Sequence, residues 1–385
     1  MQYRKFGKLD WNVSVLGFGV MRLPVIGEDH SNIDESVAIN MLRYAIDHGV
    51  NYMDSGYAYH NGNSERLIGK AIKDGYREKV RIATKMPVRM VEKAEDFDRI
   101  FNEQIERLGL DKIDFYLLHG LNAENWRHAK ELGIIPWLDK KLAEGRFSYT
   151  GFSFHDNYEV FKEIVDGYDN WTLTQIQYNF MDVDNQNQAT RKGVEYAAGK
   201  DLAVVVMEPL RGGRLSQKPP ESVAKIWESA ETKRGPVEWA LLWLWNQPEI
   251  SVVLSGMSTM EQVVENVDIA DRSRPGILNT DETELMNRAR DAYRGLSPIP
   301  CTGCRYCMPC PNGVEIPRIF QIYNESVMYN APQMGKFHYM GQVGLKKEET
   351  ADNCMECGEC LEACPQAIDI PDWLKKVHEE LKPDE

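Results

Sequence analysis

"SVLGFGVMR", residues 14–22, begins as a β-rich run and ends in a glycine turn. A doubly wound nucleotide-binding sheet normally declares itself after its first strand, with a G-x-G-x-x-G turn that leads the pyrophosphate to a helix N-terminus. Here the turn reads "GFGVMR" and does not complete that fingerprint. Working outward, seven more β-rich runs follow at 50–54, 80–84, 113–118, 149–153, 173–177, 202–207 and 251–255, the first being 14–19. Between them lie amphipathic stretches such as "ESVAINMLRYAIDHG" and "AEDFDRIFNEQIERLGL", with glycine near their C-terminal ends. Eight strands alternating with helices over roughly 250 to 290 residues is the count and size of a (β/α)8 TIM barrel. The expected domains are a barrel over 1–293 and a small cysteine-rich domain over 294–385, joined at the Gly/Pro segment "RGLSPIP".

Composition narrows the function classes. The chain has 385 residues, 43% of them hydrophobic, and a net charge of −14. That suits a globular protein and argues against nucleic acid or an anionic membrane as partner. Runs such as "LAVVVM" and "WALLWLW" are too short to span a bilayer. The opening "MQYRKFGKLDWNVS" has no apolar signal-peptide region, so a cytoplasmic protein is expected. No cysteine precedes Cys301, and all eight fall between 301 and 364. In a reducing compartment this points to metal or redox chemistry rather than disulfides.

Barrel enzymes place their chemistry where strands end. The second strand delivers Asp54, with Tyr59 five residues on; the third delivers Lys85 and the fourth His119. A tyrosine can protonate a carbonyl oxygen as hydride arrives. A neighbouring ammonium favours tyrosinate and lowers the tyrosine pKa. Asp54 would hold Lys85 charged and aimed, and His119 could orient the carbonyl. Each residue alone is more often structural; the four in order at strand ends make a candidate catalytic set.

These residues, with "DSGYAY", "ATKMP", "YLLHG", "GFSFH", "TQIQYN", "MEPLRGG" and "SGMSTMEQVVEN", resemble the aldo-keto reductases over about residues 1–290. The resemblance implies a (β/α)8 barrel that binds NAD(P)H across its mouth, with Asp54, Tyr59, Lys85 and His119 as catalytic tetrad. It also implies that Ser153 and Gln175 hold the nicotinamide carboxamide, and that Pro209, Leu210 and Gly212 line the pyrophosphate. Ser258, Gln262, Glu265 and Asn266 are expected around the adenosine, and Gly19 and Met21 belong to the same cofactor-binding set. Three departures stand out. Phe154 occupies a place the family often gives to Asn. Met207 stands where a tyrosine stacks on the nicotinamide. Gly256 and Gln262 replace the cations that clamp a 2′-phosphate, a role left to Arg22, Arg211 or Arg214, so NAD and NADP both stay open.

The tail carries two knots. Cys354, Cys357, Cys360 and Cys364 precede Pro365 with the C-x2-C-x2-C-x3-C-P spacing of bacterial ferredoxins. Cys301, Cys304, Cys307 and Cys310 precede Pro311 with the last gap one residue shorter. Eight thiolates suit two [4Fe–4S] clusters. In the ferredoxin pattern the fourth cysteine of each run serves the other cluster, giving Cys301, Cys304, Cys307 and Cys364 on one and Cys354, Cys357, Cys360 and Cys310 on the other. Zinc ribbons, or one cluster with a structural first knot, are the other readings. The order of motifs also resembles aldo-keto reductases with a C-terminal ferredoxin-like domain.

Two functions are open at this stage. One is an NAD(P)-dependent oxidoreductase that interconverts a small-molecule carbonyl and alcohol, with clusters that take part in turnover or brace the fold. The other is an iron–sulfur electron-transfer module whose barrel is a docking scaffold. Hydride carries two electrons and a cubane normally one, so a flavin could bridge them, although no motif announces one. A redox-protein partner is expected if the clusters work, and Glu356, Glu359 and Glu362 would give it an acidic surface. Trp126 and Trp137 read as helix packing or substrate pocket. His155 could touch substrate or cofactor, and Asp156 reads as a helix cap.

Overall fold

The computed structural model describes residues 1–186, 188–340 and 344–382. They group into two compact units, Met1–Gly212 with Val237–Asn279, and Gly213–Pro236 with Thr280–Glu385.

In the first unit a hairpin of β1 (Tyr3–Lys5) and β2 (Asn12–Ser14) precedes eight parallel strands. These are β3 (Leu16–Gly19), β4 (Tyr52–Asp54), β5 (Arg81–Met86), β6 (Ile113–Leu121), β7 (Phe147–Phe154), β8 (Trp171–Gln177), β9 (Ala203–Met207) and β10 (Ile250–Ser255). They close in the order β10-β3-β4-β5-β6-β7-β8-β9, the expected (β/α)8 barrel. Every residue of β10 is buried, and in β9 all but Met207 are. Strands covered on both faces carry continuous apolar runs rather than alternation, as "AVVVM" does. Inside the barrel Phe6, Tyr52, Phe115, Leu117, Leu173, Val205 and Val252 form a filled core. The rings of Phe6 and Phe115 lie 5.0 Å apart.

Local capping explains several helix starts. Asp34 accepts from the Val37 N–H, and Asn157 accepts from Glu159 and Val160. Asn157, not Asp156, therefore caps the helix Tyr158–Asp166; its carboxamide lies one residue closer to the orphan N–H groups. Asp156 instead binds the Ala123 and Asn157 N–H groups. The two tryptophans serve packing. Trp126 is buried against Trp171, and Trp137 donates to Asp98 at 3.0 Å.

The second unit is helical, with no strand among its described residues. Its helices include Glu221–Glu228, Thr280–Arg294, Ile316–Met328, Pro332–Met340 and Ile370–Leu381. The last helix starts at Ile370, and residues 383–385 lie outside the described set. Ile316, Ile319, Phe320, Tyr323, Tyr339, Leu374 and Val377 form its core, and six of the eight cysteines pack against that core. Among the described residues, no helix is long and apolar enough to cross a membrane.

Candidate active site and cluster-binding region

Parallel register brings the strand-end residues of the first unit together. Gly19 on β3 pairs with Asp54 on β4, Asp54 with Ala83 on β5, and Lys85 on β5 with Leu117 on β6. The Lys85 ammonium, 0% exposed, donates to Asp54 Oδ1 at 2.6 Å and to the Ser55 carbonyl at 2.5 Å. The Tyr59 hydroxyl lies 3.5 Å from the same nitrogen. Across the mouth, the His119 ring meets the Tyr59 ring edge-on at 5.7 Å. All four residues singled out from the sequence thus converge.

Burial works against the Lys85 ammonium, but Asp54 and Tyr59 outweigh it and hold its pKa above the ordinary lysine value. The proton stays on Lys85, while burial raises the pKa of its partner Asp54 against the pull of that ammonium. For Tyr59 the balance differs from the sequence expectation. Burial raises its pKa, and the opposing pull of Lys85 does not bring it below the ordinary value. The phenol is protonated at neutral pH, as a proton donor must be. His119 is pushed down to about 3 by burial, then by Lys85, His155 and Arg89. It is therefore neutral and can donate from one ring nitrogen. It sits within β6 rather than after it: the strand continues past a register irregularity to Leu121. There Gly120 takes a φ of +68° and donates its N–H to Ser153 Oγ at 2.8 Å.

The loop that carries Tyr59 is fastened by residues that sequence reasoning missed. His60, Asn61 and Gly62 are all at positive φ, a conformation that costs about 1–2 kcal/mol at each non-glycine residue. His60 accepts the Leu23 N–H at 3.2 Å and contacts the His30 carbonyl at 2.5 Å. Arg107 donates to the Tyr57 carbonyl at 3.0 Å and stacks over the Tyr57 ring at 4.2 Å. It also ion-pairs with fully buried Glu65 at 3.3 Å. Glu65 in turn accepts from Thr84 and Gln104, and Gln104 donates to the Lys85 carbonyl. One network therefore braces both Tyr59 and Lys85. Arg107 and Glu65 are charged and sit at interior helix positions, which from sequence read as a solvated face. Arg107→Ala should leave Glu65 as a buried unpaired charge, cost about 3–5 kcal/mol, and lower kcat more than it raises KM. Thermal unfolding and steady-state kinetics check both.

Of the residues expected around a dinucleotide, Gly19, Ser153, Gln175 and Met207 stand at the ends of barrel strands. Ser153 faces Gln175 in register, and Gln177 faces Met207. Gln175 lies 3.7 Å from Met207 Sδ, and its Oε1 is buried with no partner. That orphaned acceptor fits an amide N–H of a bound ligand. In the loop after β9, Glu208, Arg211 and Gly212 take positive φ. A Cβ on Gly212 would stand 3.3 Å from the Arg22 guanidinium, and one on Gly256 would meet the Arg22 side chain at the same distance. Pro209 and Leu210 lie in this loop, and Met21, beside Arg22, is 54% exposed. Of the three arginines considered for a 2′-phosphate, Arg22 lies against both Gly212 and Gly256 of the expected cofactor set. Arg211 ion-pairs with Asp182 at 3.1 Å, and Arg214 belongs to the second unit and pairs with Glu325 there. Ser258 donates to the Arg22 carbonyl and its N–H is held by Gln262. Glu265 is exposed, whereas Asn266 is buried and donates to Ser255 at 2.8 Å.

In the second unit the eight thiols are free and divide between two cavities. One is lined by Cys301, Cys304, Cys307 and Cys364. The other is lined by Cys310, Cys354, Cys357 and Cys360, with Cys307 and Ile316 shared between them. Burial, then neighbouring thiols, raises the pKa of Cys301 and Cys307 and pushes Cys360 up to about 11. Such crowded thiols ionise readily only against a cation. Among the described residues no three ligands converge as a single ion requires. A cubane instead spreads four thiolates over four irons.

The comparisons with known proteins agree with this geometry. Residues 15–275 match the aldo/keto reductase family, and residues 300–368 match a 4Fe-4S dicluster domain. An uncharacterized oxidoreductase of Bacillus subtilis, YqkF, is 25% identical over 76% of this chain and 99% of its own length. The NADH-specific methylglyoxal reductase of Escherichia coli is 23% identical over 68% of this chain and 91% of its own. The holo form of aldo-keto reductase AKR11C1 from Bacillus halodurans superposes with a TM-score of 0.62 at 27% identity, covering 75% of this chain and 96% of that one. The chain belongs to the aldo/keto reductase family and carries, at its C-terminal end, a 4Fe-4S dicluster domain.

Proposed function

We propose that the barrel is an NAD(P)H-dependent carbonyl reductase, or the reverse alcohol dehydrogenase, with Tyr59 as general acid and base. The observation that carries this reading is Lys85, held 2.6 Å from Asp54 and 3.5 Å from the Tyr59 hydroxyl. When bound, the nicotinamide supplies or accepts the hydride. The chain's own residues supply the rest. Neutral His119 donates a hydrogen bond to the carbonyl oxygen and orients it. Tyr59 gives that oxygen its phenolic proton. Lys85, kept charged by Asp54, stabilises the tyrosinate that remains. Gln175 and Ser153 would hold the carboxamide, Met207 would pack against the ring, and the loop of Pro209, Leu210 and Gly212 would take the pyrophosphate. Arg22 would face the phosphates.

The eight cysteines would hold two [4Fe–4S] clusters, one in each cavity; such clusters supply one-electron steps. The shared wall of Cys307 and Ile316 supports two neighbouring clusters. Their place in turnover is an exchange of electrons with a redox-protein partner. Anaerobic mixing with NADPH, and separately NADH, tests the coupling. Bleaching of the iron–sulfur absorbance is the expected result, and it would call for a search for bound flavin. Clusters that stay oxidised while nucleotide binds would leave a conventional reductase with a bracing tail.

A further inference from the structure

Beside the tetrad stands a cation that the mechanism above does not use. Arg89 sits in the one-turn helix Val88–Met90 just after β5, three residues from buried Met86 and four from Lys85. Its guanidinium lies 3.7 Å from the point a Cβ on Gly120 would occupy, so it reaches the backbone immediately after His119. The segment is anchored rather than loose: Val88 and Val91 are buried, and the Val91 carbonyl is hydrogen-bonded by His128 at 2.8 Å. Arg89 itself is exposed, and among the described residues its side chain makes no hydrogen bond or ion pair. Carboxylates of the strand-end loops are committed elsewhere. Asp54 holds Lys85, Asp156 binds backbone N–H groups, and Glu208 faces Arg22. His155 lies on the same rim, at the end of β7, and Arg89 acts electrostatically on both His119 and His155. The rim next to His119 therefore presents an exposed guanidinium that reaches the Gly120 backbone and is close enough to His119 and His155 to hold both imidazoles towards their neutral form.

We propose that Arg89 is a substrate-binding residue and that the carbonyl compound reduced at this site carries a carboxylate. The planar guanidinium matches a carboxylate with two parallel hydrogen bonds, a geometry that fixes orientation as well as affinity. With the carbonyl oxygen at Tyr59 and His119 and the carboxylate at Arg89, the substrate would be a short oxo acid or, in the reverse direction, a hydroxy acid. A single arginine between neutral histidines suits a monoanion better than a phosphate, which draws several cations or a helix N-terminus. This inference rests on the reading of Tyr59 and His119 as the reacting end.

The test compares 4-oxobutanoate with butanal, its uncharged counterpart, using the anaerobically purified full-length protein. The expected result is a kcat/KM ratio of about 30 in favour of the oxo acid, in line with a charge-assisted hydrogen-bonded pair. In Arg89→Gln that ratio should fall to near one, chiefly through KM for the oxo acid. A wild-type ratio near one, or a ratio that survives Arg89→Gln, would overturn the proposal. If the wild type reduces neither compound, Arg89 is judged apart from the reductase reading, by calorimetric titration with succinate. Saturable binding that Arg89→Gln abolishes would uphold the carboxylate site. No binding, or binding unchanged by the substitution, would rule it out.

Discussion

Tyr59→Phe is expected to lower kcat for carbonyl reduction by about 10²–10⁴-fold while NADPH still binds with nearly wild-type affinity. The substitution removes one oxygen and leaves the ring that packs against His119 at 5.7 Å. What is lost is, among the described residues, the one phenolic proton within hydrogen-bond reach of the Lys85 ammonium. Single-turnover rates and fluorescence titration separate chemistry from binding. The pH profile adds an independent check. Because His119 is held near 3, its protonation should produce no inflection between pH 5 and 8. Reduction should weaken only on the alkaline side, as the raised Tyr59 pKa is approached and the proton to be donated is lost. A kcat for Tyr59→Phe within threefold of wild type would remove Tyr59 from the chemistry and, with it, the proposed mechanism.

The second large effect concerns Cys364. If the fourth cysteine of each run serves the other cluster, Cys364→Ser should empty the site of Cys301, Cys304 and Cys307. The site of Cys354, Cys357 and Cys360, completed by Cys310, should stay filled. Iron per chain should fall from about eight to about four, and one of two cluster signals should vanish from the reduced-state paramagnetic resonance spectrum. Cys310→Ser should remove the other signal. The opposite pairing of variant and signal would mean that each knot closes on its own four cysteines. Retention of both clusters in each variant would mean that neither residue is a ligand. Loss of a cluster should also lower thermal stability, because the cysteines pack directly on the core of Ile316, Phe320 and Leu374.

Much of this was legible in the residue order. Strand and helix periods follow from local sterics and burial, so the eight-strand count could be read from runs such as "AVVVM" and "ISVVLS". The ends of parallel strands meet at one mouth whatever the side chains are, and that is why Asp54, Tyr59, Lys85 and His119 could be picked out by position. Cysteine spacing of two residues is a local constraint, and it marked the knots without any knowledge of the fold. What could not be read were the relations between residues far apart in the chain. Arg107 and Glu65 read as solvated helix charges until packing buried one against the other beneath the Tyr59 loop. Arg214, which sequence reasoning offered to a phosphate, is committed to Glu325 because its segment packs in the second unit. The sign of the Tyr59 shift depended on how much burial outweighs Lys85, a quantity that only three-dimensional surroundings set. Sequence alone determined the barrel, the four candidate residues at the strand ends and the two knots, because periodicity and spacing are local. Tertiary structure decided which charges are paired, which are neutral and that the exposed Arg89 reaches the backbone after His119, because electrostatic energy depends on distance and burial rather than on order along the chain.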